Sequence, residues 1–344
     1  MTAPHLPPCP KPTAGRPTRR THRLLRLVAP AAGLVLLMAC NTPAGPGLPD
    51  PGVLARNADP AGTAEPSRTR YPSGTADPSR TTDPSRTAAP TGTAVWLLGE
   101  LHDNTAGHAL RLQTLTRLVA GGARPALLME QFDRDLQTAI DREQQPAPGM
   151  PPGDAELDAA VDALVRLASP PGAAPGWDWA LYRPVLRLAL QYRLPIVAAN
   201  VSRRDARQVI AQGLAATGFD PGVPADIASA QAAAIVASHC GQVSLAQAGR
   251  MALAQVARDQ FMARQVGRYA GRGVVLLAGN GHVRKDLGLP RWLDTGTRQR
   301  SWAIAYLEPD SADTAAFDQV VQVPEQPRTD PCQAMVSPQH PATP

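Results

Sequence analysis

The chain has 344 residues, a formal net charge of +5 and a sequence pI of about 9.3. Six of its 34 basic residues and none of its 29 acidic residues lie in the first 39 positions, which leaves 28 basic and 29 acidic residues in the rest of the chain. This balance removes the reason to expect a nucleic acid or another polyanion as a partner.

The first 39 residues have the pattern of an export signal. Their basic stretch is followed by the apolar run LVAPAAGLVLLMA (27–39), which is too short for a stable membrane-spanning helix, and then by Cys40. LMAC (37–40) resembles the lipobox of bacterial lipoproteins, in which the cysteine is lipidated and becomes the new N-terminus. Asn41, rather than an aspartate, follows it and favours an outer-membrane anchor that faces the periplasm. The alternative is a simple secretory peptide with an incidental cysteine.

Residues 40–93 are rich in Pro, Gly, Thr and Ala and contain EPSRT at 65 and DPSRT at 77 and 83. Each copy has a helix-breaking proline and no residue that could build a core. We therefore expect a disordered tether between the anchor and the folded part. The Pro-rich and polar end of the chain, residues 331–344, is expected to be a flexible tail.

Residues 94–330 are predicted to form one domain. Its apolar runs are AVWLLGE (94–100), PALLME (125–130), PIVAAN (195–200) and GVVLLAGN (273–280), with further candidate strands at SWAIAYLE (301–308) and QVVQV (319–323). Continuous apolarity over so few residues is typical of parallel strands that are covered on both faces.

Helical patterns fill the gaps between these runs, and Gly121, Gly213 and Gly271 stand where helix C-caps belong. Alternating strands and helices predict an α/β fold with a mostly parallel sheet flanked by helices. The span 133–192 holds more helix than one crossover needs, which predicts a helical cap insertion.

Cys240 and Cys332 are the only cysteines after Cys40. In an oxidising compartment, two remaining cysteines favour a disulfide. A zinc site is the less favoured alternative, because SHCG (238–241) has one histidine and no second thiol nearby.

Polar residues gather where the predicted strands end. Parallel strands bring their carboxyl ends to one edge of a sheet, where loops and helix N-termini form a ligand crevice. We therefore expect one pocket there, and the alternative is a set of solvated strand ends. The residues concerned are Glu100, His102 and His108 after the first strand, Glu130 after the second, Asn200 after the third, and Asn280 and His282 after the fourth.

Several motifs in this order resemble the ChaN-like haem-binding lipoprotein family, also called the cofacial haem-binding domain. They are LLGELHDN (97–104), LLMEQF (127–132), YRPVLRLAL (182–190), PIVAANVSR (195–203), ARDQFMA (257–263) and LLAGNGHVRKDLGLP (276–290). The resemblance implies a periplasm-facing lipoprotein linked to iron uptake, which holds two stacked haems between two subunits. It also implies that a tyrosine of one subunit ligates each iron while a histidine and a lysine of the other contact propionates.

Within that resemblance, Tyr182 is the favoured iron ligand, and the alternative is that it is a half-buried packing residue. Pro184 suits the first turn of a helix, so Tyr182 is expected at the helix start, where its phenol can project outside the core. Ferric iron is a hard acid and accepts a phenolate. The remaining tyrosines after the tether, namely Tyr192, Tyr269 and Tyr306, are weaker candidates because they fall in or beside packing segments.

Lys285 is the only lysine after the leader and lies three residues after His282. It is expected to contact a haem propionate together with His282 or His102, although a single lysine can also stand there by chance. The acids and amides at the strand ends, Glu100, Glu130 and Asn200, and the imidazole of His108 are expected to shape the same pocket.

An enzyme is the alternative interpretation. GELH (99–102) with a later Glu and a distal GH also resembles the superfamily of erythromycin esterases and TraB/Tiki-like proteins. Glu100 or Glu130 would then be a general base, and His282 a second acid or base or a metal ligand. Neither the HExxH nor the G-x-S-x-G signature is present, so we favour haem binding over hydrolysis.

The long helical pattern at 244–270 places Gln255, Arg258 and two methionines, Met251 and Met262, on one side. Methionines there are expected in the core. Arg258 and Asp259 are costly to bury unless they are paired, so one of them is expected to reach the pocket or a buried partner.

Overall fold

The computed structural model describes residues 89–145, 153–170, 176–309, 311, 314–330 and 332. The predicted leader, Cys40 and the tether as far as residue 88 lie outside these ranges, as does the predicted tail except for Cys332. Within the described ranges, no helix combines the length and the apolarity that crossing a membrane requires.

The described residues contain one parallel sheet. Its strands are β1 (Val95–Leu98), β2 (Ala126–Asp133), β3 (Ile196–Asn200), β4 (Val274–Leu277), β5 (Ser301–Leu307) and β6 (Gln319–Gln322). Their order across the sheet is β3–β2–β4–β1–β5–β6, and every neighbouring pair is parallel. All six apolar runs are strands, and the predicted α/β class is confirmed.

Helices connect the strands. They are α1 (Thr105–Ala120), α2 (Gln137–Glu143), α3 (Asp154–Ala168), α4 (Trp179–Gln191), α5 (Arg203–Gln212), α6 (Ala225–Ser238), α7 (Leu245–Tyr269), α8 (Asn280–Val283) and α9 (Thr295–Gln299). Side chains of Asn104, Asp178 and Ser202 accept hydrogen bonds from backbone N–H groups in the first turns of α1, α4 and α5. Gly121 and Gly213 are C-caps, as predicted, whereas the C-cap of α7 is Ala270 and not Gly271.

The helices cover both faces of the sheet. Leu98 packs into a core with residues of α1, α3 and α4, whereas its neighbour Leu97 points to the other face and packs with α7. Both side chains are fully buried. Replacing either one by alanine removes buried methyl groups and is expected to cost about 2–5 kcal/mol. Burial on both faces is the reason that these strands lack the polar–apolar alternation of a half-exposed sheet.

Between β2 and β3 lie α2, α3 and α4, in the span for which the sequence predicts a helical insertion. Helix α4 packs against α1 and α3. The insertion therefore extends the helical layer on the α1 face, and it carries side chains of α4 towards the carboxyl end of β1.

The strand order opens a crevice at the centre of the carboxyl edge. From β1 the chain crosses β4 to reach β2, and from β4 it crosses β1 to reach β5. The connections thus leave the adjacent strands β1 and β4 in opposite directions. This is the arrangement in which open α/β sheets bind their ligands.

Cys240 and Cys332 form a disulfide with a Cα–Cα distance of 5.5 Å across 92 residues of sequence. The predicted pairing is confirmed. A loop of this length gives a disulfide a stabilising effect of about 2–4 kcal/mol, chiefly by restricting the unfolded chain.

Candidate functional site

Two clusters of polar side chains, all buried except the partly buried His102, lie at the carboxyl ends of β1, β2 and β4. The Glu100 cluster consists of Glu100, His102, His108, Arg111 and Tyr182, and the His282 cluster consists of Glu130, Asp259 and His282. The fold therefore brings together six of the predicted site residues: Glu100, His102 and Glu130 from strand ends, His108 from α1, His282 from α8 and Tyr182 from α4.

Glu100 is the centre of the first cluster. Its Oε1 accepts hydrogen bonds from the Tyr182 hydroxyl at 2.6 Å and from Gln131 Nε2 at 3.2 Å, and lies 2.5 Å from His102 Nδ1. The guanidinium of Arg111 forms an ion pair with Oε2. Burial disfavours the carboxylate, but Arg111 and His102 outweigh it and lower the pKa of Glu100 from 4.5 to about 2. The carboxylate is therefore ionised at neutral pH.

Arg111 also fixes the tautomer of His108. Its Nη2 lies 2.8 Å from His108 Nδ1, while His108 Nε2 lies 2.9 Å from the carbonyl oxygen of His102. Because arginine only donates and a carbonyl only accepts, Nδ1 is the acceptor and Nε2 carries the proton. Burial and the charge of Arg111 lower the pKa of His108, which keeps this ring neutral.

In the second cluster, His282 lies between two carboxylates. Its Nδ1 is 2.7 Å from Asp259 Oδ1 and its Nε2 is 3.5 Å from Glu130 Oε1. The backbone N–H of Gly279 donates to Glu130 Oε2 at 2.8 Å. Asp259 is the residue of α7 that reaches the pocket, in agreement with the expectation for Arg258 or Asp259.

The two carboxylates of the second cluster differ in acidity. Burial opposes ionisation of both. For Glu130 the charges of His282 and His102 outweigh burial and hold its pKa well below the usual range. For Asp259 burial prevails over the charge of His282, and its pKa is raised to about 6. The His282 imidazole thus lies between the ionised carboxylate of Glu130 and the carboxyl of Asp259, which is the weaker acid of the two.

His102 lies where the two clusters meet, packed on Gly279. A side chain at Gly279 would place its Cβ 3.2 Å from two atoms of the His102 ring and 3.7 Å from Glu130 Oε2. A glycine at the end of β4 therefore lets the imidazole approach the sheet closely. This contact makes the clusters one continuous polar site.

Tyr182 is placed differently from the sequence-based expectation. Helix α4 begins at Trp179, not at Tyr182, because Asp178 caps it, and Pro184 falls inside the helix. Tyr182 consequently faces the core and is 0% exposed. Burial and the negative charge of Glu100 raise the pKa of its phenol far above the usual range. In this structure Tyr182 is a neutral donor to Glu100.

Aromatic rings enclose the same region. The ring of Trp177 is half-buried and lies edge-on to His102 at a centroid distance of 4.7 Å, and the ring of Tyr182 lies edge-on to His108 at 4.8 Å. Trp179 packs beside Tyr182 at 5.8 Å. These rings help to bury the Glu100 cluster, and hydrogen bonds are stronger in such a buried environment.

Lys285 and Asn200 are not among the contacts of either cluster. Lys285 pairs with Asp318 at 2.5 Å and lines a cavity of about 570 Å³ with residues that precede β1 and begin β5, at the opposite edge of the sheet. Helix α8 ends at Val283 and the backbone of Lys285 then bonds to Ala316, which turns the lysine away from His282. Asn200 is buried at the end of β3, in register with Asp133.

Sequence reasoning missed Arg111, Gln131 and Trp177. A signal for Arg111 existed, because it lies three residues after His108 and therefore on the same face of α1. Gln131 directly follows Glu130, but an irregularity in the pairing of β2 with β3 between Met129 and Asp133 decides where its side chain lies.

Fold and site together define an α/β domain with a buried carboxylate–imidazole site at the centre of its carboxyl edge. Residues 88–293 match the family described as "Haem-binding uptake, Tiki superfamily, ChaN", and the chain belongs to this family. A search of curated proteins gives no match.

Solved structures are similar to this chain. One is "Cofacial heme binding to ChaN of Campylobacter jejuni", which is 17% identical with a TM-score of 0.53 and covers 67% of this chain and 87% of its own. Another is a mutant of the erythromycin esterase EreC in its open conformation, which is 15% identical with a TM-score of 0.37 and covers 63% of this chain and 71% of its own.

The donors present suit ferric haem in kind, since a phenol and imidazoles are known axial ligands of haem iron. Ligation of iron by Tyr182 would require its phenol to leave Glu100, because the phenol donates a hydrogen bond to this carboxylate. Across the described ranges, no group of three or more His, Cys, Asp and Glu residues could hold a bare metal ion.

Proposed function

We propose that this chain is a haem-binding lipoprotein for iron uptake, anchored to the outer membrane through Cys40 and facing the periplasm. The observation that carries the proposal is the match of residues 88–293 to the haem-binding uptake family. The lipobox-like LMAC and the long Pro-rich tether after it support the anchor. Two or more acyl chains make such an anchoring stable.

Tyr182 is the proposed iron ligand. Bound haem would supply a ferric iron that accepts an anionic oxygen. For Tyr182 to provide this oxygen, the phenol must lose its hydrogen bond to Glu100 and its proton. Arg111, His102 and Gln131, which all contact Glu100, would then hold the carboxylate without Tyr182. Ligation is therefore coupled to a rearrangement of the Glu100 cluster.

The proposal includes a homodimer that forms around two stacked haems. A porphyrin is large, flat and apolar, and one shallow crevice leaves its second face in water. Stacking two haems between two subunits buries these faces, so haem should favour the dimer by mass action. Imidazoles at the rim, among them His102, would contact the propionates.

The test is a haemin titration of the protein without leader, followed by absorbance and by sedimentation velocity. The expected result is a saturable absorbance change at one haem per chain, together with a shift from monomer to dimer. Saturation without a change in sedimentation would reject the cofacial dimer but keep haem binding. No saturable change at micromolar haemin would reject haem binding itself.

The alternative function is hydrolysis, and one observation favours it. His282 lies between Asp259 and Glu130, and this carboxylate–imidazole pairing is a common arrangement for acid–base catalysis. Turnover of ester or amide substrates by the purified protein, abolished in Glu130→Gln while haemin binding persists, would establish the hydrolase. Equal background rates in wild type and Glu130→Gln would exclude it for those substrates.

A further inference from the structure

The C-terminal segment after β6 crosses the carboxyl edge of the sheet beside the site. We call residues 324–330 the strap. Asn104 Nδ2 donates to the carbonyl oxygen of Pro324 at 2.9 Å, and the backbone N–H of Thr105 donates to Gln326 Oε1 at 3.2 Å. The N–H of Gln326 in turn donates to Glu308 Oε1 at 3.1 Å. The strap is thus bonded both to the turn after β1 and to the end of β5.

Arg328 makes the strongest of these connections. Its Nε and Nη2 donate to Asp103 at 2.6 and 2.8 Å, and its Nη1 and Nη2 donate to Glu308 at 2.6 and 2.7 Å. One guanidinium therefore joins two carboxylates with two hydrogen bonds each. Single exposed ion pairs contribute little, but bidentate arginine pairs in a network are the strong exception.

The residues held by the strap belong to the segment that positions His102. Asp103 and Asn104 directly follow it, and Asn104 caps α1 by accepting a hydrogen bond from Gly107 at 2.9 Å. Helix α1 carries His108 and Arg111 into the Glu100 cluster. A displacement of residues 103–105 would therefore move His102 and the start of α1 together.

The strap is fixed at both of its ends. At one end, the N–H of Val323 bonds to Leu307 of β5 at 2.9 Å. At the other, Cys332 is joined to Cys240 in the turn after α6. Both cysteines are only partly buried, so a small reductant can reach them. A segment restrained at both ends loses less conformational entropy when it docks than one restrained at a single end.

We propose that the strap is a redox-dependent brace for the His102 turn, in which Arg328 is the positioning residue and the Cys240–Cys332 disulfide keeps the strap docked. A dithiol reductant would convert the disulfide to two thiols and would itself be oxidised to a disulfide. The strap would then be fixed at only one of its ends, next to β6, so its contacts with Asp103 and Asn104 would break more often and residues 101–108 would open more often. Residues 324–332 lie outside the stretch that matches the family.

The proposed brace depends on the proposed function in one respect only, namely that haem is the ligand that would enter the opened site. Its test therefore uses the protein without haemin. Hydrogen–deuterium exchange of peptides that cover 101–108 is compared between wild type, Arg328→Gln and the double variant Cys240→Ser/Cys332→Ser. Arg291→Gln is the matched control, because it removes another arginine–carboxylate pair, with Asp226, away from this turn.

We expect exchange in 101–108 to rise about tenfold in Arg328→Gln and in the double serine variant, and to be unchanged in Arg291→Gln and in peptides of β5. Wild-type protein treated with a dithiol should match the serine variant, which repeats the test without a substitution. Unchanged exchange in Arg328→Gln overturns the brace. A rise in Arg328→Gln without one in the serine variant or in the reduced protein overturns the redox dependence.

A second readout separates positioning from general stability. In protein with ¹⁵N-labelled histidine, the ring signals of His102 should shift in Arg328→Gln, and those of His282 should not. Arg328→Lys keeps the charge but lacks the planar fork, so it should restore the His102 signals only in part. Equal shifts of both histidines would assign Arg328 a purely structural role and overturn the proposal.

Discussion

The hydroxyl of Tyr182 donates a 2.6 Å hydrogen bond to Oε1 of Glu100, which joins helix α4 of the insertion to the end of the central strand β1. Both side chains are buried, and Glu100 is ionised. Two adjacent negative charges in this place would be costly, so a Tyr182 phenolate and the present arrangement of Glu100 exclude one another. The proposed iron ligation by Tyr182 and its hydrogen bond to Glu100 would therefore be two alternative states of the site.

Replacing Tyr182 by phenylalanine keeps the ring and deletes the oxygen. We expect the haemin complex of Tyr182→Phe to lack the charge-transfer band of a ferric phenolate, and haemin-induced dimerisation to weaken, because ligation fixes each haem in the stacking position. Absorbance and sedimentation of the same samples measure both effects. Tyr192→Phe is the control, because Tyr192 is exposed at the end of the same helix.

If Tyr182→Phe kept the band and dimerised as wild type does, another group would be the ligand. The Tyr192→Phe control would already test Tyr192 as that ligand, and Tyr269 and Tyr306 would then be replaced in turn. A spectrum typical of histidine ligation would point instead to His102 or His282.

Among the partners of Glu100, Arg111 is the one whose replacement should lower the stability of the domain most. Arg111→Met fills a similar volume but leaves Glu100 buried beside no permanent positive charge. We expect destabilisation by about 3–5 kcal/mol, since breaking a buried ion pair leaves an uncompensated charge. Urea unfolding measures the loss. Arg117→Met, on the exposed side of the same helix, should change stability by less than about 0.5 kcal/mol, and an equal effect of both substitutions would show that Arg111 does not neutralise Glu100.

Gly279 and Gly281 offer a matched pair of alanine substitutions. Gly279→Ala places a methyl group 3.2 Å from the His102 ring, whereas a Cβ at Gly281 meets no atom within 4 Å. We expect Gly279→Ala to displace His102 and to weaken haemin binding about tenfold or more, as overpacking of a tight contact costs about 1–3 kcal/mol. Gly281→Ala should bind haemin as wild type does. Equal affinities of the two variants would mean that the position of His102 does not matter for haem.

The strands could be predicted because continuous apolar runs of this length have few structural alternatives to a buried strand in an α/β chain. That Glu100, Glu130 and His282 lie together could also be predicted, because parallel strands bring their carboxyl ends to one edge of the sheet. The burial of Tyr182 could not be predicted, because it depends on whether helix α4 begins after Asp178 or at Tyr182. Lys285 shows a related limit. Its spacing of three from His282 suggests proximity, but the chain leaves α8 after Val283, and Asp318 and Ala316, distant in sequence, determine where the lysine lies.

Replacing Cys40 tests the proposed lipid anchor. Cys40→Ser removes the thiol that lipidation requires, so the variant should move from the membrane fraction to the aqueous phase on detergent partition. Cys9→Ser, in the basic part of the leader, is the control and should partition as wild type does. An unchanged partition of Cys40→Ser would reject the lipoprotein assignment.

The acid stability of the domain should depend on Glu100. The pKa of Glu100 lies below its ordinary value of 4.5, at about 2, so the unfolded chain binds the proton more tightly than the folded one. Its contribution to stability is therefore complete above about pH 4.5 and is lost as the pH falls towards 2; 1.36 kcal/mol per pKa unit makes this about 3 kcal/mol. The glutamine of Glu100→Gln does not titrate, so between about pH 4.5 and pH 2 this variant should lose about 3 kcal/mol less stability than wild type does.

Urea unfolding at pH 7, 5, 4 and 3 measures the difference between wild type and Glu100→Gln. The variant will be less stable at pH 7, because Arg111 loses its charged partner, but its curve should approach that of wild type as the pH falls. Glu130, whose pKa is also lowered, acts in both proteins and cancels in the comparison. Glu143→Gln, at an exposed position of α2, is the control and should run parallel to wild type. If Glu100→Gln also ran parallel at every pH, Glu100 would not be the ionised centre of the site.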